Sequence, residues 1–303
     1  MGNTVKDILK NPMLLFLTLG HRGFFNWMDD EKYLKIAFKI RTGKKLDLNC
    51  PRTFNEKLQW LKLYNRRPEY TKMVDKYEAK KYISNVVGEQ YVIPTLGVWD
   101  RFDDIDFEQL PNQFVLKCTH DSGGLIICKD KNKIDIPAIR HKMNKCLRHN
   151  FYWGQREWPY KNVRPRIIAE KYMEDGQDGN ALTDYKFFCF NGVPQIMYIC
   201  QDHSKNPHSA TFDMDFNRIN IRFRDPISNN KIEKPACFEK MREIAETLSK
   251  GMPFVRIDFY FVNGTIYIGE ITFFHNSGFG EVHPVEWAYQ LGSWIDLPTV
   301  KVQ

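Results

Sequence analysis

The sequence lacks the short motifs that mark several common classes of enzyme. The 303 residues contain no GxxxxGK[ST] loop, no HExxH pair and no GxSxG elbow, so a P-loop nucleotidase, a zinc protease of that type and an α/β-hydrolase are not predicted. The seven cysteines are scattered, without a CxxC pair or metal-ligand spacing. Reduced thiols in a cytosolic protein are therefore the simplest interpretation, and no zinc site is assigned.

Long apolar runs are also missing. The run near the N-terminus, residues 12–19, is far shorter than the ~20 residues that cross a bilayer, and no small-residue cleavage site follows it. We expect no membrane span and no export. Peripheral contact between the N-terminal helices and a membrane is left open, as is the oligomeric state.

The positive charge of the chain is not concentrated in one segment. The net charge is +7 and the isoelectric point is near 8.9, but no Lys/Arg block or nucleic-acid-binding motif accompanies it. Nucleic acid is therefore not an expected partner. A positive surface suits an anionic nucleotide, an acidic saccharide or an anionic membrane leaflet equally well.

The order of helical and strand patterns predicts a mixed α+β (α/β) protein of several units. Residues 1–50 form a helical extension in this prediction, with Tyr33, Ile36, Ala37 and Ile40 on one helix face. The further predicted units are residues 51–110, 111–175 and 176–303.

Local signals refine this outline. The spacing of Thr53 and Glu56 is that of a capping box at the start of a helix. A second helix is expected from about Val74 to Val87. Asn191-Gly192 and Asn263-Gly264 each separate two apolar runs and predict β-hairpins.

The stretch FVLKCTHDSGGLIICKD joins two apolar strands through a polar, glycine-containing loop. Lys117 ends the first strand, and His120 lies in the loop. An ammonium beside a row of backbone N–H groups could hold a nucleotide phosphate. Glycine-rich hairpins are common, however, so an ordinary turn is the alternative.

Asp258 and Glu270 are carboxylates within two apolar strands. A buried carboxylate needs a cation, and magnesium together with substrate phosphates would satisfy both; a salt bridge from Arg256 to Asp258 is the alternative. With a two-residue turn, Asp258 would face Gly269 and Glu270 would point to the other side of the sheet. A shared metal site therefore requires a bulge or one more loop residue.

A strand ending in EKYM precedes the segment EDGQDGN, whose composition predicts a hinge between units. Backbone groups at a hinge can bond an adenine edge, and Tyr172 and Met173 would supply an apolar wall beside Glu170. A plain linker between units is the alternative.

Taken in order, the segments TFNEKLQWLKLY, DKYEAKKYI, FVLKCTHDSGG, REWPYKNVRPRIIAEKYMED, DYKFFCFNG and PFVRIDFYFVNGTIYIGEITFF resemble the TupA-like ATP-grasp family, which is associated with bacterial surface polysaccharides. The resemblance runs from about residue 50 to the C-terminus. It implies an ATP-grasp fold, with a small lid subdomain over a larger C-terminal antiparallel sheet, and ATP and Mg²⁺ as cofactors.

The resemblance also implies roles for individual residues. Those that would bind ATP are Lys76, Lys117, His120, Ser122, Gly123, Gly124, Glu170, Lys171, Tyr172, Met173 and Asp184, with Ser122 to Gly124 forming the lid. Those placed at the metal are Asp258, Glu270 and Thr272, where Thr272 replaces the usual Asn and puts two-metal occupancy in doubt. Arg256 would steady the transferred phosphoryl group, Lys186 would border the cleft, and Ser277 and Gly278 would meet the acyl substrate.

The implied activity is that of an ATP- and Mg-dependent carboxylate–amine ligase that acts through an acyl phosphate. Its expected partners are ATP, an acidic saccharide or other carboxylate, and an amine or amino acid, with amidation of a uronic acid in the cytoplasm as the expected step. Three alternatives stay open: a sugar or polysaccharide kinase, a glycosyltransferase, for which Asp213-Met214-Asp215 is the nearest acidic pattern, and a non-catalytic polysaccharide-binding scaffold.

Overall fold

The structure, a computed structural model, describes residues 12–121, 123–174, 182–201 and 208–302. The helices in these ranges are α1 (Leu14–His21), α2 (Asp30–Thr42), α3 (Phe54–Tyr64), α4 (Glu69–Val74), α5 (Glu78–Val87), α6 (Ile136–Leu147), α7 (Tyr152–Gln155), α8 (Phe238–Ser249) and α9 (Val285–Ser293). The strands are β1 (Thr95–Trp99), β2 (Phe114–Cys118), β3 (Leu125–Cys128), β4 (Ile167–Lys171), β5 (Asp184–Phe190), β6 (Val193–Gln201), β7 (His208–Asp213), β8 (Arg218–Ile219), β9 (Phe254–Val262) and β10 (Thr265–Thr272).

The smaller sheet has four antiparallel strands in the order β1-β4-β2-β3. Alternate residues of β2, Phe114 and Leu116, are fully buried and share a core with Ile139 and Met143 of α6. The glycine-rich loop joins β2 to β3. Because β1 pairs with β4, the predicted boundary near residue 110 falls between strands of one sheet rather than between separately folded units.

The larger sheet has six antiparallel strands in the order β10-β9-β5-β6-β7-β8. On one of its faces Phe187 and Cys189 contact α8. Because Ile257 pairs with Phe187, it lies on that same face. The neighbouring residues Arg256 and Asp258 therefore point to the opposite face. This alternation places the charged groups of β9 on the side of the sheet away from α8.

The predicted N-terminal helices pack into the main core. In α2 the buried residues are Tyr33, Leu34, Ala37 and Phe38, so the apolar face is rotated slightly from the predicted one, and Ile36 is only half-buried. Among the described residues, none of the helices combines the length and the apolar character that a bilayer crossing requires.

Helix α3 begins as predicted. The Thr53 hydroxyl accepts a hydrogen bond from the Glu56 N–H, and the Glu56 carboxylate accepts one from the Thr53 N–H. The prediction of one helix from Val74 to Val87 is wrong at its start. The Asp75 carboxylate accepts hydrogen bonds from the Tyr77 and Glu78 N–H groups, and this turn ends α4 and begins α5.

Candidate active site

The register of the β9–β10 hairpin decides whether Asp258 and Glu270 share a face. The turn contains only Asn263 and Gly264, both with positive φ, which by itself would place Gly269 opposite Asp258. A bulge at Gly269 shifts the register by one residue, and Asp258 and Glu270 are cross-strand partners. A shared metal site required either a bulge or one more loop residue, and the hairpin contains the bulge.

Two basic side chains hold the carboxylate of Asp258. Arg256 donates from Nε to Oδ1 at 2.6 Å and from Nη2 to Oδ2 at 2.7 Å. Nζ of Lys186 lies 2.9 Å from Oδ2 of Asp258 and 3.0 Å from Oδ2 of Asp184. Burial disfavours the charged form of Arg256, but the adjacent Asp258 carboxylate outweighs burial and raises the pKa of Arg256. The salt bridge that was the alternative to a metal is therefore present.

Glu270 is the acid of this group that reaches the cleft. Its side chain is 36% exposed, and Oε2 lies 3.5 Å from Nη2 of Arg256. Nη2 also donates to Oγ1 of Thr272 at 3.2 Å. Carboxylate oxygens are the ligands that Mg²⁺ prefers, and the oxygens of Asp258 retain lone pairs beyond those used by Arg256 and Lys186. By donor type, these residues fit a magnesium ion that keeps phosphate or water oxygens.

The carboxylate of Glu170, on β4, forms salt bridges with two lysines. Nζ of Lys117 lies 2.6 Å from Oε2 and Nζ of Lys80 lies 2.6 Å from Oε1. Burial alone would raise the pKa of the Glu170 carboxyl, but Lys117 and Lys80 together hold it below its usual value. Lys80 was not predicted, although its position one helical turn after Lys76 was a usable signal.

One cleft brings these charged groups together with an apolar wall. Its lining residues are Met73, Val74, Lys76, Ala79, Lys80, Ile83, Lys117, Glu170, Ile268, Gly269, Glu270 and Ile271. The basic residues come from α5, the turn before it and β2, and the acid at the other side comes from β10. The structure therefore places Lys76, Lys117, Glu170 and Glu270 around one space, and their contact with a nucleotide stays a prediction.

Asp121 organises the glycine-rich loop between β2 and β3. Its Oδ1 accepts hydrogen bonds from the N–H groups of Gly123 at 3.3 Å and Gly124 at 2.9 Å. Nζ of Lys76 donates to the Asp121 carbonyl oxygen. Lys76 is thereby tied to the loop that the sequence proposed as a lid. Ser122, also predicted there, lies outside the described residues.

The His120 ring, a predicted phosphate contact, faces two backbone carbonyl oxygens instead. Nε2 of His120 lies 3.1 Å from the Cys146 carbonyl oxygen and 3.0 Å from that of His149, and the residue is 3% exposed. The predicted phosphate contact of His120 is therefore not supported by its position. Lys171 is exposed at the end of β4, and Tyr172 and Met173 after it are half-buried.

The loop after β10 holds Ser277 and Gly278 against α3. The Ser277 hydroxyl donates to Oε1 of Glu157, and the Gly278 carbonyl oxygen accepts from Nε2 of Gln59 at 2.7 Å. Nζ of Lys62 donates to the Ser277 carbonyl oxygen at 2.8 Å. These polar groups are engaged inside the protein, so the predicted contact of Ser277 and Gly278 with substrate stays a prediction.

Lys62 and Glu157 are buried charges beneath the site, and neither was predicted. Lys62 is fully buried and Glu157 is 4% exposed. Burial lowers the pKa of Lys62, with Glu157 opposing, and burial raises the pKa of Glu157, with Lys62 opposing. A lysine on the apolar face of a predicted helix was the only sequence signal for this pair.

A model of the family described as TupA-like ATPgrasp matches residues 56–296. The chain belongs to the TupA-like ATP-grasp family. The match spans most of the chain and confirms the sequence-based prediction of the family and of an ATP-grasp fold. A comparison with curated proteins found no match.

Two solved structures with a distant likeness are ligases by name. The D-alanine–D-alanine ligase of Bacillus anthracis is 18% identical, with a TM-score of 0.40 over 66% of this chain and 56% of the other. The VanG D-Ala:D-Ser ligase of Enterococcus faecalis is 13% identical, with a TM-score of 0.40 over 72% and 54%. This chain thus spans little more than half the length of these ligases, and nothing about its reaction rests on the likeness.

Proposed function

We propose that the protein is an ATP- and Mg-dependent ligase that joins a carboxylate to an amine through an acyl phosphate. The observation that supports this most is that Lys76, Lys117 and Glu270 line one cleft together with apolar side chains. The cleft has a free volume of about 30 Å³, so it would have to widen to admit ATP. Cations on one wall suit the phosphates of ATP, and the apolar residues suit the adenine ring. Glu170 would then receive the adenine edge or fix the lysines beside it.

Lys117 and Lys76 would bind phosphate oxygens, and Glu270 with Asp258 would hold magnesium, which supplies neutralising charge at the phosphates when bound. Arg256 faces the same group of acids and cannot lose its proton under ordinary conditions. In this proposal its guanidinium stabilises the charge on the phosphoryl group as it passes to the substrate carboxylate. The amine then displaces phosphate from the acyl carbon, and the amide bond forms.

A second pocket borders Lys186 and Arg256 and suits the carboxylate substrate. Its lining residues are Asp184, Lys186, Tyr198, Cys200, Arg224, Asp225, Arg256, His275 and Asn276. Arg224 is 63% exposed and could meet an acidic group that enters from solvent. Together with the net charge of +7, this supports an acidic acceptor, which we propose to be a uronic acid of a bacterial surface polysaccharide precursor, amidated in the cytoplasm.

The reaction is tested by incubating the protein with ATP, magnesium and a panel of uronic acids in the presence of hydroxylamine. A ligase that forms an acyl phosphate yields a hydroxamate together with ADP. A kinase acting on a hydroxyl yields ADP and a phosphate ester but no hydroxamate, and that result would contradict the proposal. Arg224→Ala should raise the KM for the acid while leaving that for ATP unchanged.

A further inference from the structure

A buried histidine completes the hydrogen bonding of Arg256. Nδ1 of His275 lies 2.8 Å from Nη1 of Arg256, while Nε and Nη2 of the same guanidinium bond to Asp258. A guanidinium can only donate, so Nδ1 must accept, and the ring proton must then lie on Nε2. The side-chain amide of Asn276 lies 3.1 Å from Nε2. Because the nitrogen and oxygen of an amide are assigned from the hydrogen-bond network, its oxygen is the atom that accepts from Nε2. His275 thus supplies an acceptor on the side of the guanidinium that Asp258 does not reach.

Aromatic side chains fix the orientation of this imidazole. The ring centroid of His275 lies 4.8 Å from that of Phe188, 4.9 Å from that of Phe223 and 6.2 Å from that of Tyr198. Burial, and secondarily the charges of Arg256 and Lys186, hold the pKa of His275 well below its usual value. The ring is therefore neutral, and it can accept a hydrogen bond without repelling the guanidinium.

The loop that carries His275 is held in an unusual backbone conformation. Asn276, Ser277 and Gly278 all have positive φ, at 48°, 54° and 63°, and such a conformation is costly for the residues other than glycine. Lys62 and Gln59 of α3 donate to the carbonyl oxygens of Ser277 and Gly278. These buried hydrogen bonds offset the cost of the backbone conformation. They thereby hold His275, the residue just before Asn276, in one position.

We propose that His275 is a positioning residue that orients the Arg256 guanidinium toward the transferred phosphoryl group. Asp258 on one side and His275 on the other fix the plane of the guanidinium, because they engage Nε, Nη1 and Nη2. This inference rests on the proposed function only in the identity of the group that Arg256 faces. The hydrogen bond itself exists in the protein without nucleotide.

The first test uses the full chain labelled with ¹⁵N in its histidines and no nucleotide. Nitrogen chemical shifts report whether each imidazole is neutral and which nitrogen carries the proton, and the His275 signals are assigned by their loss in His275→Asn. We expect a neutral ring with its proton on Nε2 at neutral pH. A charged ring, or a proton on Nδ1, would overturn the inference whatever the protein binds.

The second test compares His275→Phe with His275→Asn. Phenylalanine keeps the aromatic packing and removes the acceptor, whereas the asparagine amide oxygen can lie near the position of Nδ1. We expect His275→Phe to weaken binding of Mg·ADP with aluminium fluoride, which mimics a phosphoryl group in transfer, by about tenfold or more, because a charged donor is left unpaired. His275→Asn should retain most of the wild-type affinity.

The matched readout is Mg·ATP binding, which should change less than the aluminium fluoride complex because the interaction matters most in phosphoryl transfer. Wild-type affinity in both variants would refute the positioning role. If the wild-type protein binds neither nucleotide complex, the proposed function fails instead, and the nitrogen shifts still decide the state of His275.

Discussion

Replacing Lys62 with methionine would leave Glu157 buried without the cation that does most to stabilise its charge. Lys62 is fully buried, and its Nζ donates to the carbonyl oxygens of Gln155 and Ser277, both at 2.8 Å. Methionine has nearly the same length and can fill the space, but it donates no hydrogen bond. The variant therefore isolates the polar role of Lys62 from its packing.

The expected cost follows from the burial of both partners. Leaving a buried polar group without its partner typically costs about 1–3 kcal/mol, and more for a charged group; Lys62→Met does this to two carbonyl oxygens and also removes the charge that opposes the burial of Glu157. The total free energy of unfolding of a protein is about 5–15 kcal/mol. Lys62→Met should therefore remove a large part of the stability. Lys62→Met/Glu157→Gln should recover part of it, because the stranded charge is gone.

The assay is urea unfolding followed by circular dichroism for both single variants and the double variant. Lys57→Met is the matched control: it lies on the same helix, is only half-buried and donates to one carbonyl oxygen, that of Ile295, so it should cost about 1 kcal/mol. A cost below about 1 kcal/mol for Lys62→Met, or a double variant less stable than either single one, would refute the reasoning.

Three smaller predictions follow from the same contacts. Burial raises the pKa of Glu157 from 4.5 to about 6, so the folded protein favours the protonated carboxyl. The contribution of Glu157 to the free energy of unfolding is therefore full below pH 4.5 and is lost as the pH rises through 6. Glu157→Gln should make the free energy of unfolding less dependent on pH over that range. Thr53→Ala should cost about 1 kcal/mol in urea unfolding, because it removes a capping box. Gly269→Ala would place a Cβ 2.6 Å from the Tyr260 ring, so it should weaken Mg·ATP binding by displacing Glu270; unchanged affinity would contradict this.

The sequence was sufficient where the signal is local. The capping box at Thr53 and the turns at Asn191 and Asn263 depend on a few adjacent residues, and each is present. The helix expected from Val74 was less well predicted, because the break depends on the Asp75 side chain accepting hydrogen bonds from the backbone. An acidic residue within a helical pattern does not distinguish a turn from a continuous helix.

The sequence predicted which residues would lie close together in the candidate site better than it predicted the contacts between them. Lys117, Glu170 and Glu270 surround one cleft, but Lys117 is bound to Glu170, a pairing across two strands that no spacing reveals. His120 was predicted to contact phosphate because its loop was predicted to do so, yet its ring turns toward the Cys146 carbonyl oxygen of α6. The roles of Lys80 and His275 depend on contacts between distant segments, which a single sequence does not report.

The most direct test of the central claim is calorimetric titration of ATP into the wild-type protein and into Asp258→Asn/Glu270→Gln, each with and without magnesium. We predict that ATP binds the wild-type protein in a magnesium-dependent manner and that the double variant loses the magnesium dependence. Circular dichroism of both proteins controls for folding. Absent binding to the wild-type protein, or equal magnesium-dependent binding to both proteins, would contradict the assignment of this cleft as an ATP and magnesium site.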